Sequence, residues 1–436
     1  METNGEDDRF RRRQAVCKIG RKKWCYVLSM SMILFASHAM AGGFYLTQIA
    51  SPGSVGTAGV ADSVNNWAAD SAFTNPAGMT GLQEDTVMGG VQTLIPIMRF
   101  DSSIATAGGS DGGNAGAPAV VPGGYIVKTL GDDWRLGFSI SGPMGGGVDY
   151  GDDFVGRYQA YEASLAGLFI SPSVGYRVNE RLSVGAGVSA VYTIFNEKIA
   201  FNNAGGVPDG EIKMDKLDGW SPQGFFGMTF QLTDDLMMGA VYRTKSEVDI
   251  DGDLRITGVV GPPPTNLLGG LDNIEIEFDL PQTFEVAMKY QVNDDFQLLA
   301  DINWQDWSTF SDNKISIEGP IITTIDRNWK DTWHVGLGMV YDIGEAHRMM
   351  VGVSYDSSVV DDEDRTIDLP MDEQLQVSFG FGNKGGSDEK WKYGLATTVM
   401  YMGDGKVDQT TQGERFKGEF DTNVMFIVGG MISYDF

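Results

Sequence analysis

The sequence predicts an all-β protein, a transmembrane antiparallel β-barrel of about 14 strands with an N-terminal plug. Three observations lead to this prediction. Strand-like segments of about ten to fourteen residues recur from Thr86 to Phe436, tight and wide connections alternate between them, and apolar side chains fall on every second position. Short turns at one rim, long loops at the other and an outward apolar face together are typical of barrels that span a membrane.

The connections are of two kinds, which alternate strictly along the chain. The tight ones are residues 131–133, 179–180, 233–235, 293–295, 344–346 and 383–390, and the wide ones are residues 101–119, 143–163, 196–216, 247–277, 307–330, 357–370 and 403–421. Six tight and seven wide connections imply about fourteen strands, an even number as bacterial single-chain barrels require.

The last strand shows the alternation of side chains most clearly. Its even positions are Val424, Phe426, Val428, Gly430, Ile432, Tyr434 and Phe436, and its odd positions are Asn423, Met425, Ile427, Gly429, Met431, Ser433 and Asp435. We expect the even face to contact lipid, with aromatic residues at its interfacial end. Residues 182–194 and 333–341 repeat the pattern. A soluble sandwich would leave edge strands and would not produce about fourteen such segments.

The N-terminus has the three parts of a secretory signal peptide, over residues 1–41. A basic stretch at residues 11–23 precedes an apolar run from Trp24 to about Ala36, and Ala39-Met40-Ala41 supplies the small residues of a cleavage site. A retained membrane anchor is the alternative, and the cleavage site argues against it. Beyond residue 41 no apolar run approaches the roughly 18 residues that a spanning helix needs.

Composition excludes several classes of function. Both cysteines, Cys17 and Cys25, lie in the predicted signal peptide, so the remaining chain has no thiolate for a nucleophile or a metal site. The formal net charge is −27, which rules against nucleic acid as a partner. We expect most of the acidic residues to lie in solvated loops and turns.

Residues 42–85 alternate poorly and contain the glycines and the Asn-Pro step of compact, irregular structure. A barrel of about fourteen strands is wider than the eight-stranded kind that side chains alone can fill, so its bore would leak if nothing occupied it. We therefore interpret the chain as a signal peptide (1–41), a plug or hatch (42–85) and a transmembrane barrel (86–436).

Several short segments, taken in order, resemble one known family. The segments are Gly42-Gly43-Phe44-Tyr45-Leu46, Asn75-Pro76-Ala77-Gly78, Asp279-Leu280-Pro281, Asp301-Ile302-Asn303-Trp304, Trp307-Ser308-Thr309-Phe310, Trp329-Lys330-Asp331-Thr332 and Gly352-Val353-Ser354-Tyr355-Asp356. They are similar to the outer-membrane long-chain fatty acid transporters (FadL-type), a family that includes aromatic hydrocarbon transporters. The chain departs from that family at residues 357–359, where a proline is usual, and at Met371, where an Asp is common. Both departures lie in a wide loop and bear on substrate entry.

The resemblance implies passive uptake of hydrophobic compounds across the bacterial cell outer membrane, with long-chain fatty acids as the first expectation and aromatic hydrocarbons as the second. It implies that Phe44 and the hatch triplet Asn75, Pro76 and Ala77 gate a binding pocket. It also implies that ligand leaves sideways through an opening at a kinked third strand. Here Ser141, Gly142 and Pro143 would interrupt that strand, because proline lacks a hydrogen-bond donor and glycine is permissive.

Uptake of a fatty acid anion needs an apolar surface for its acyl chain and a cation for its carboxylate. Alternation places Met425 and Ile427 inward, where we expect them to contact ligand, since methionine-rich surfaces adapt to apolar molecules. Packing against the plug is the competing interpretation. Arg243 and Lys245 are predicted to point inward near the outer end of their strand and to meet the carboxylate, and pairing with nearby acids is their alternative.

Other chemistry is less consistent with the sequence. His334 faces the lumen by alternation and is interpreted as structural rather than as part of a Ser-His-acid hydrolase, so no enzyme and no cofactor are expected. The acidic run at residues 361–364 has the oxygen ligands of a Ca²⁺ site, and a solvated outer loop is the favoured interpretation. The expected partners are hydrophobic small molecules, lipopolysaccharide and outer-membrane lipid around a monomer. A structural or adhesive barrel without transport is the second class.

Overall fold

The computed structural model describes residues 45–46, 48–203, 205–261, 265–318, 321–384 and 390–436. The predicted signal peptide (1–41), Phe44 and most of the tight connection at 383–390 lie outside the described residues. Within the described part of the chain, no helix is both long and apolar enough to cross a membrane.

The described residues from Thr86 to Asp435 form a continuous series of antiparallel strands. They are β1 (Thr86–Ala105), β2 (Ala119–Leu130), β3 (Trp134–Asp149), β4 (Glu162–Arg177), β5 (Leu182–Phe201), β6 (Gly210–Gln231), β7 (Leu236–Arg243), β8 (Ser246–Thr257), β9 (Asn273–Leu280), β10 (Thr283–Asn293), β11 (Phe296–Gln305), β12 (Asp312–Ile317), β13 (Ile321–Asp326), β14 (Thr332–Ile343), β15 (His347–Asp356), β16 (Gln374–Asn383), β17 (Trp391–Tyr401), β18 (Val407–Thr411) and β19 (Glu414–Asp435).

Some of these segments are two halves of one barrel strand. Breaks separate β7 from β8, β9 from β10, β11 from β12, β13 from β14 and β17 from β18, and a 3-10 helix at Trp307–Phe310 fills one of them. The nineteen described segments therefore make fourteen barrel strands. The last strand pairs with the first, from Thr86 opposite Asp435 onward, which closes the sheet. The predicted barrel of about fourteen strands is confirmed.

The outer surface of the barrel carries a belt of apolar side chains at alternate positions. On β19, Phe426, Val428 and Ile432 are exposed, whereas Met425 and Ile427 are buried. Long strands with one face toward lipid and one toward the lumen give this period of two. The predicted alternation, including the even face of the last strand, is confirmed.

Three of the wide connections contain strands that the sequence interpretation assigned to loops. β8 and most of β9 overlap residues 247–277, β12 and β13 lie in 307–330, and β18 lies in 403–421. On β8, Val248 and Ile250 are buried, while Asp249 and Asp251, which alternate with them, face out. Beyond the hydrocarbon layer the outer face of a strand meets water, so its polarity is the reverse of a lipid-facing strand. An apolar outward face marks only the lipid-facing part of a strand, so the sequence pattern did not predict these outer segments.

The segment that precedes the barrel is packed against its inner wall. It contains helix α1 (Pro52–Gly56), a 3-10 helix (Asp62–Val64), helix α2 (Ser71–Thr74) and a second 3-10 helix (Pro76–Gly81). Residues 48–61 and 68–80 are buried throughout. These elements contact strands on all sides, including β3 to β7, β10, β15 to β17 and β19. The segment therefore occupies the bore.

Local sequence explains where the plug helices begin. Ser51 caps α1, because its Oγ accepts a hydrogen bond from the Ser54 N–H, and Pro52 starts the helix with a φ angle that suits it. Asn75 and Pro76 repeat this arrangement at the second 3-10 helix, where Asn75 Oδ1 accepts from the Ala77 N–H at 3.0 Å. Short capped turns let the chain fold back repeatedly within the width of the barrel.

Candidate functional site

A cavity lies between the plug and the inner wall of the barrel. About 100 Å³ of its space is open to the centre of a water molecule, and the cavity is partly open to solvent. Its lining comes from plug residues between 45 and 74 and from β3, β4, β6, β7, β10, β11 and β14. Strands three and four of the barrel supply one side, and the strands around β10, β11 and β14 supply the other.

The first side of the cavity is apolar and aromatic. Leu46, Ile49 and Phe73 of the plug meet Phe169 of β4 there. The Phe73 and Phe169 rings pack edge to face with their centroids 6.0 Å apart. Aromatic rings in such pairs are rigid, so this side presents a fixed apolar surface to a ligand.

Tyr45 marks the outer edge of this apolar side. Its ring lies 6.3 Å from that of Phe169 and 5.4 Å from that of Trp307, between centroids. Its hydroxyl accepts a hydrogen bond from Gln223 Nε2 at 3.3 Å. Burial raises the pKa of Tyr45 to about 12, so the phenol is neutral at physiological pH.

The second side of the cavity is polar, and strand register arranges it in rows. In the outer row Arg243 of β7 lies opposite Thr283 of β10, which lies opposite Gln305 of β11. In the next row Glu285 lies opposite Asn303, and Asn303 opposite His334 of β14. Asp301 follows two residues deeper on β11. Directly opposed side chains on one face of a sheet are close neighbours, so each row is a connected polar surface.

Arg243 is the cation of the cavity. Its guanidinium lies over the rings of Phe73 and Phe225, at 4.3 and 4.9 Å from their centroids, and its Nη2 donates to the Phe73 carbonyl. Its buried Nη1 has no hydrogen-bond partner, and Arg243 forms no ion pair with any described residue. A guanidinium stacked between rings with one edge free is oriented to receive an anion.

Two carboxylates of the polar side hold the plug. Asp301 Oδ2 accepts from the Ala61 N–H and Glu285 Oε1 accepts from the Ser63 N–H, each at 3.1 Å. Asp62, between these two plug residues, also lines the cavity. Burial, with repulsion from Asp70 as the next cause, raises the pKa of Asp62 well above its ordinary value. The plug is thus fastened to the wall directly beneath the cavity.

His334 completes the deep end of the polar side. Its Nδ1 lies 2.9 Å from Asp356 Oδ1, and its Nε2 lies 3.7 Å from Asp301 Oδ1. A carboxylate on one ring nitrogen fixes the orientation of the imidazole. This geometry fits the structural interpretation of His334, since the imidazole is clamped by acids.

Strand β3 is irregular at the three residues that were predicted to interrupt it. Pairing between β2 and β3 ends at Ile140, and the β3–β4 register shifts between Ser141 and Met144. The outer half of β2 therefore has no β3 partner. Instead, the Pro143 carbonyl accepts from the Leu46 N–H of the plug at 2.7 Å. Pro143 also lines the cavity, so the break in the wall is adjacent to it.

Lys245 is a correction to the predicted site. It lies in the break between β7 and β8, is exposed, and pairs with Asp279 at 2.8 Å. Inward positions are odd-numbered on β7 but even-numbered on β8, where Ser246 is buried. A break in a strand moves every later side chain to the opposite face, so counting alternate residues from Arg243 placed Lys245 wrongly.

Met425 and Ile427 are a second correction. Both are fully buried and point inward as predicted, but they pack in an apolar cluster with Leu46 and Val55 of the plug. Neither is among the described lining residues of the cavity. The competing interpretation, packing against the plug, describes them better. The remaining nominated residue of the pocket, Phe44, lies outside the described residues.

The hatch triplet is not among the described lining residues of the cavity, although Thr74, which precedes it, is. Asn75 is fully buried, and its Nδ2 donates to the carbonyls of Ser63 and Met228 at 2.6 and 3.1 Å. Pro76 and Ala77 fit against Gly175 and Gly185 of the wall, where a side chain would collide with the plug backbone. The triplet therefore ties the plug to β4, β5 and β6.

Several polar residues of the cavity were not predicted to be site residues, although two of them belong to a segment that resembles the family: Gln223, Glu285, Asp301, Asn303 and Gln305. All occupy inward positions, where a barrel ordinarily carries polar side chains, so alternation alone cannot separate them from other lumenal residues. Four of them lie on the adjacent strands β10 and β11. Their proximity becomes apparent only once the pairing register of these two strands is known.

The acidic run at residues 361–364 has protein partners in the outer loop. Asp361 pairs with Lys330, Asp362 pairs with Arg365 at 2.6 Å, and Asp364 accepts from Asn328 at 2.8 Å. Among the described residues no group of three or more His, Cys, Asp or Glu side chains is arranged to hold a metal ion.

Taken together, the closed barrel, its lipid-facing belt and its occupied bore with one amphipathic cavity define an outer-membrane channel with an interior hatch. A sequence model of the family described as "Outer membrane protein transport protein (OMPP1/FadL/TodX)" matches residues 32–436. The chain belongs to this family, and it is an outer-membrane protein.

Curated relatives cover most of the chain. The long-chain fatty acid transport protein of Escherichia coli O6:H1 is 23% identical over 389 residues, which are 81% of this chain and 86% of that protein. Outer membrane protein P1 of Haemophilus influenzae Rd is 25% identical over 398 residues, 78% of this chain and 84% of that protein.

Solved structures share the fold. A FadL homologue of Pseudomonas aeruginosa superposes with a TM-score of 0.82 at 23% identity, covering 91% of this chain and 100% of that chain. The toluene transporter TodX of P. putida superposes with a TM-score of 0.67 at 18% identity, covering 91% of this chain and 99% of that chain.

Proposed function

We propose that this protein admits long-chain fatty acids through the outer membrane by passive diffusion, that the cavity is its binding site, and that Arg243 holds the carboxylate. The observation that carries the proposal is the free Nη1 edge of Arg243, buried in a cavity whose other side is apolar. The names of the fatty acid transport relatives support the same class of substrate.

The energetics favour an amphiphile over a simple ion. An acyl chain laid against Leu46, Ile49 and Phe169 gains roughly 25 cal/mol for each Å² of apolar surface removed from water. A carboxylate on Arg243 adds a charge-assisted hydrogen bond, worth about 1.5–3 kcal/mol. The acyl chain alone does not bind Arg243, and the carboxylate alone does not cover the apolar side of the cavity.

Arg243→Met tests the assignment of the carboxylate anchor. Loss of about 1.5–3 kcal/mol weakens the Kd for hexadecanoate by roughly 10- to 150-fold. The measurement is retention of radiolabelled hexadecanoate by the protein in lipid nanodiscs. Lys245→Met is the matched control, because it removes a cation two residues away that does not line the cavity. Equal affinities for the two variants would refute the role of Arg243.

Aromatic hydrocarbon uptake is the second candidate, and the rings of Tyr45, Phe73 and Phe169 around the cavity favour it. The variant Arg243→Met distinguishes fatty acid uptake from aromatic hydrocarbon uptake. Toluene carries no charge for Arg243 to bind, so its affinity should be insensitive to Arg243→Met while that of hexadecanoate falls. A structural or adhesive role without transport predicts no retention of either compound and no uptake defect after gene deletion.

We further propose that ligand leaves through the wall where β3 lacks its β2 partner. A disulfide across this gap tests the route, because the chain has no cysteine beyond residue 25. A Cβ added at Gly142 would lie 3.0 Å from Cγ1 of Val121, close enough for the sulfur atoms of two cysteines to bond. Val121→Cys with Gly142→Cys should block uptake when oxidised and recover it on reduction. Unchanged uptake in the oxidised form would exclude the lateral route.

A further inference from the structure

Beyond Arg243, the polar side of the cavity contains buried atoms that have no hydrogen-bond partner among the described residues. They are Asn303 Oδ1, Asp301 Oδ1 and His334 Nε2, of which the last two lie 3.7 Å apart, beyond hydrogen-bond distance. Asp301 and His334 are each more than nine-tenths buried, and all three residues line the cavity. Buried polar atoms are nearly always paired, so a group of unpaired ones at one wall of a ligand cavity points to a ligand.

Strand register gives the distance of these atoms from the carboxylate anchor. Arg243 is level with Gln305 through Thr283, while Asn303 and Asp301 lie two and four residues deeper on β11. At about 3.3 Å per residue the two deeper side chains lie roughly 7 and 13 Å from the level of Arg243. A group that satisfies them therefore sits well along the acyl chain, away from the carboxylate.

The chemistry of the unpaired atoms limits what that group is. The oxygens of Asn303 and Asp301 are acceptors, so they need a donor. A second carboxylate is excluded, because Glu285 and Asp301 already place negative charge there and are engaged with plug N–H groups. A hydroxyl donates one hydrogen bond and accepts others, which also suits His334 Nε2 in either protonation state.

We propose that the preferred ligand is a long-chain carboxylate with a hydroxyl midway along its chain. The inference rests on the proposed function, since it takes the carboxylate to be at Arg243. The hydroxyl bonds to the row formed by Asn303 and His334, and the methylene groups lie against the apolar side. An unsubstituted acyl chain in the same position leaves these acceptors without hydrogen-bond partners, and burying unpaired polar atoms weakens binding.

The test compares hexadecanoate with and without a mid-chain hydroxyl, using retention by the protein in nanodiscs. The wild-type Kd for the hydroxylated acid should be about tenfold lower or more. Asn303→Leu should remove most of that preference by weakening the hydroxylated acid and tightening the plain one. Gln297→Leu is the matched control, because Gln297 shares the strand and face of Asn303 but does not line this cavity.

The outcomes separate this inference from the proposed function. Equal wild-type affinities for the two acids, both lost in Arg243→Met, would overturn the hydroxyl site and leave the carboxylate site intact. Weak binding of both acids, insensitive to Arg243→Met, would overturn both. If Asn303→Leu proves unstable, Asn303→Ser with a shorter acceptor should still reduce the preference. An unchanged preference in a folded Asn303→Ser protein would count against the proposal.

Discussion

Replacing Gly90 with alanine should loosen the plug while leaving the barrel closed. Gly90 lies on the inner face of β1, against the Ala50 carbonyl oxygen of the plug. A Cβ at this position would lie closer than 3.0 Å to that oxygen, a separation that real Cβ atoms essentially never show. Because the obstacle is backbone rather than a flexible side chain, the plug itself must move.

The magnitude follows from the size of the overlap. The Ala50 carbonyl must retreat by about 1 Å or more to reach ordinary van der Waals distance. Overpacking of this kind typically costs about 1–3 kcal/mol. The population of displaced plug should therefore rise by roughly 5- to 150-fold. The barrel should keep its closing ladder, since alanine retains the N–H and C=O that Gly90 contributes opposite Met431.

Conductance across a planar lipid bilayer measures this displacement, because a plug that moves opens the bore to ions. Gly89→Ala is the matched control. Gly89 is the preceding residue on the same strand, faces outward, and has no atom within 4 Å of the position of an added Cβ. Open events should be frequent for Gly90→Ala and at the wild-type level for Gly89→Ala. Equal conductance of the two variants would show that the plug does not rest on this contact.

Three further predictions concern the ends and anchors of the plug. Arg135→Met removes two hydrogen bonds, of 3.0 and 2.8 Å, to the Leu82 carbonyl, so the last plug helix should lose about 1–3 kcal/mol and exchange its amide hydrogens faster. The Lys128 ammonium and Thr129 hydrogen bonds lower the pKa of Asp85 to about 2. This stabilisation is present above the ordinary pKa near 3.9 and is lost as pH falls toward 2, and Lys128→Met should raise the pKa in an NMR titration. Asn75→Ala removes bonds to one plug and one wall carbonyl and should increase protease cleavage of the plug, whereas resistance equal to wild type would contradict its anchoring role.

The barrel could be predicted from sequence because its determinants are local. The lipid belt requires an apolar residue at every second position, and each strand displays that requirement without reference to its neighbours. Residues 424–436 alone show which face of β19 meets the membrane, and the structure agrees. Five of the six tight connections also lie where the turn-forming residues place them, between successive strands, and most of the sixth, 383–390, lies outside the described residues.

The residues that line the cavity were predicted only in part, because the cavity depends on contacts between distant segments. Arg243 was predicted to point inward and lines the cavity, and its role as an anion site stays a prediction. Lys245 was misplaced because the break after β7 shifts the strand by one residue, an event with no local sequence mark. Met425 and Ile427 have the correct orientation, but whether an inward residue meets ligand or plug depends on where the plug lies.

Sequence by itself determined that alternate side chains of the strands face the membrane lipid and that a separate segment precedes the barrel. Only the tertiary structure decided that Arg243, Asn303, Asp301 and His334 share one cavity, because register between β7, β10, β11 and β14 brings together residues up to 91 positions apart. Periodicity reports which face a residue occupies, whereas the height at which two strands pair is a property of the whole closed sheet.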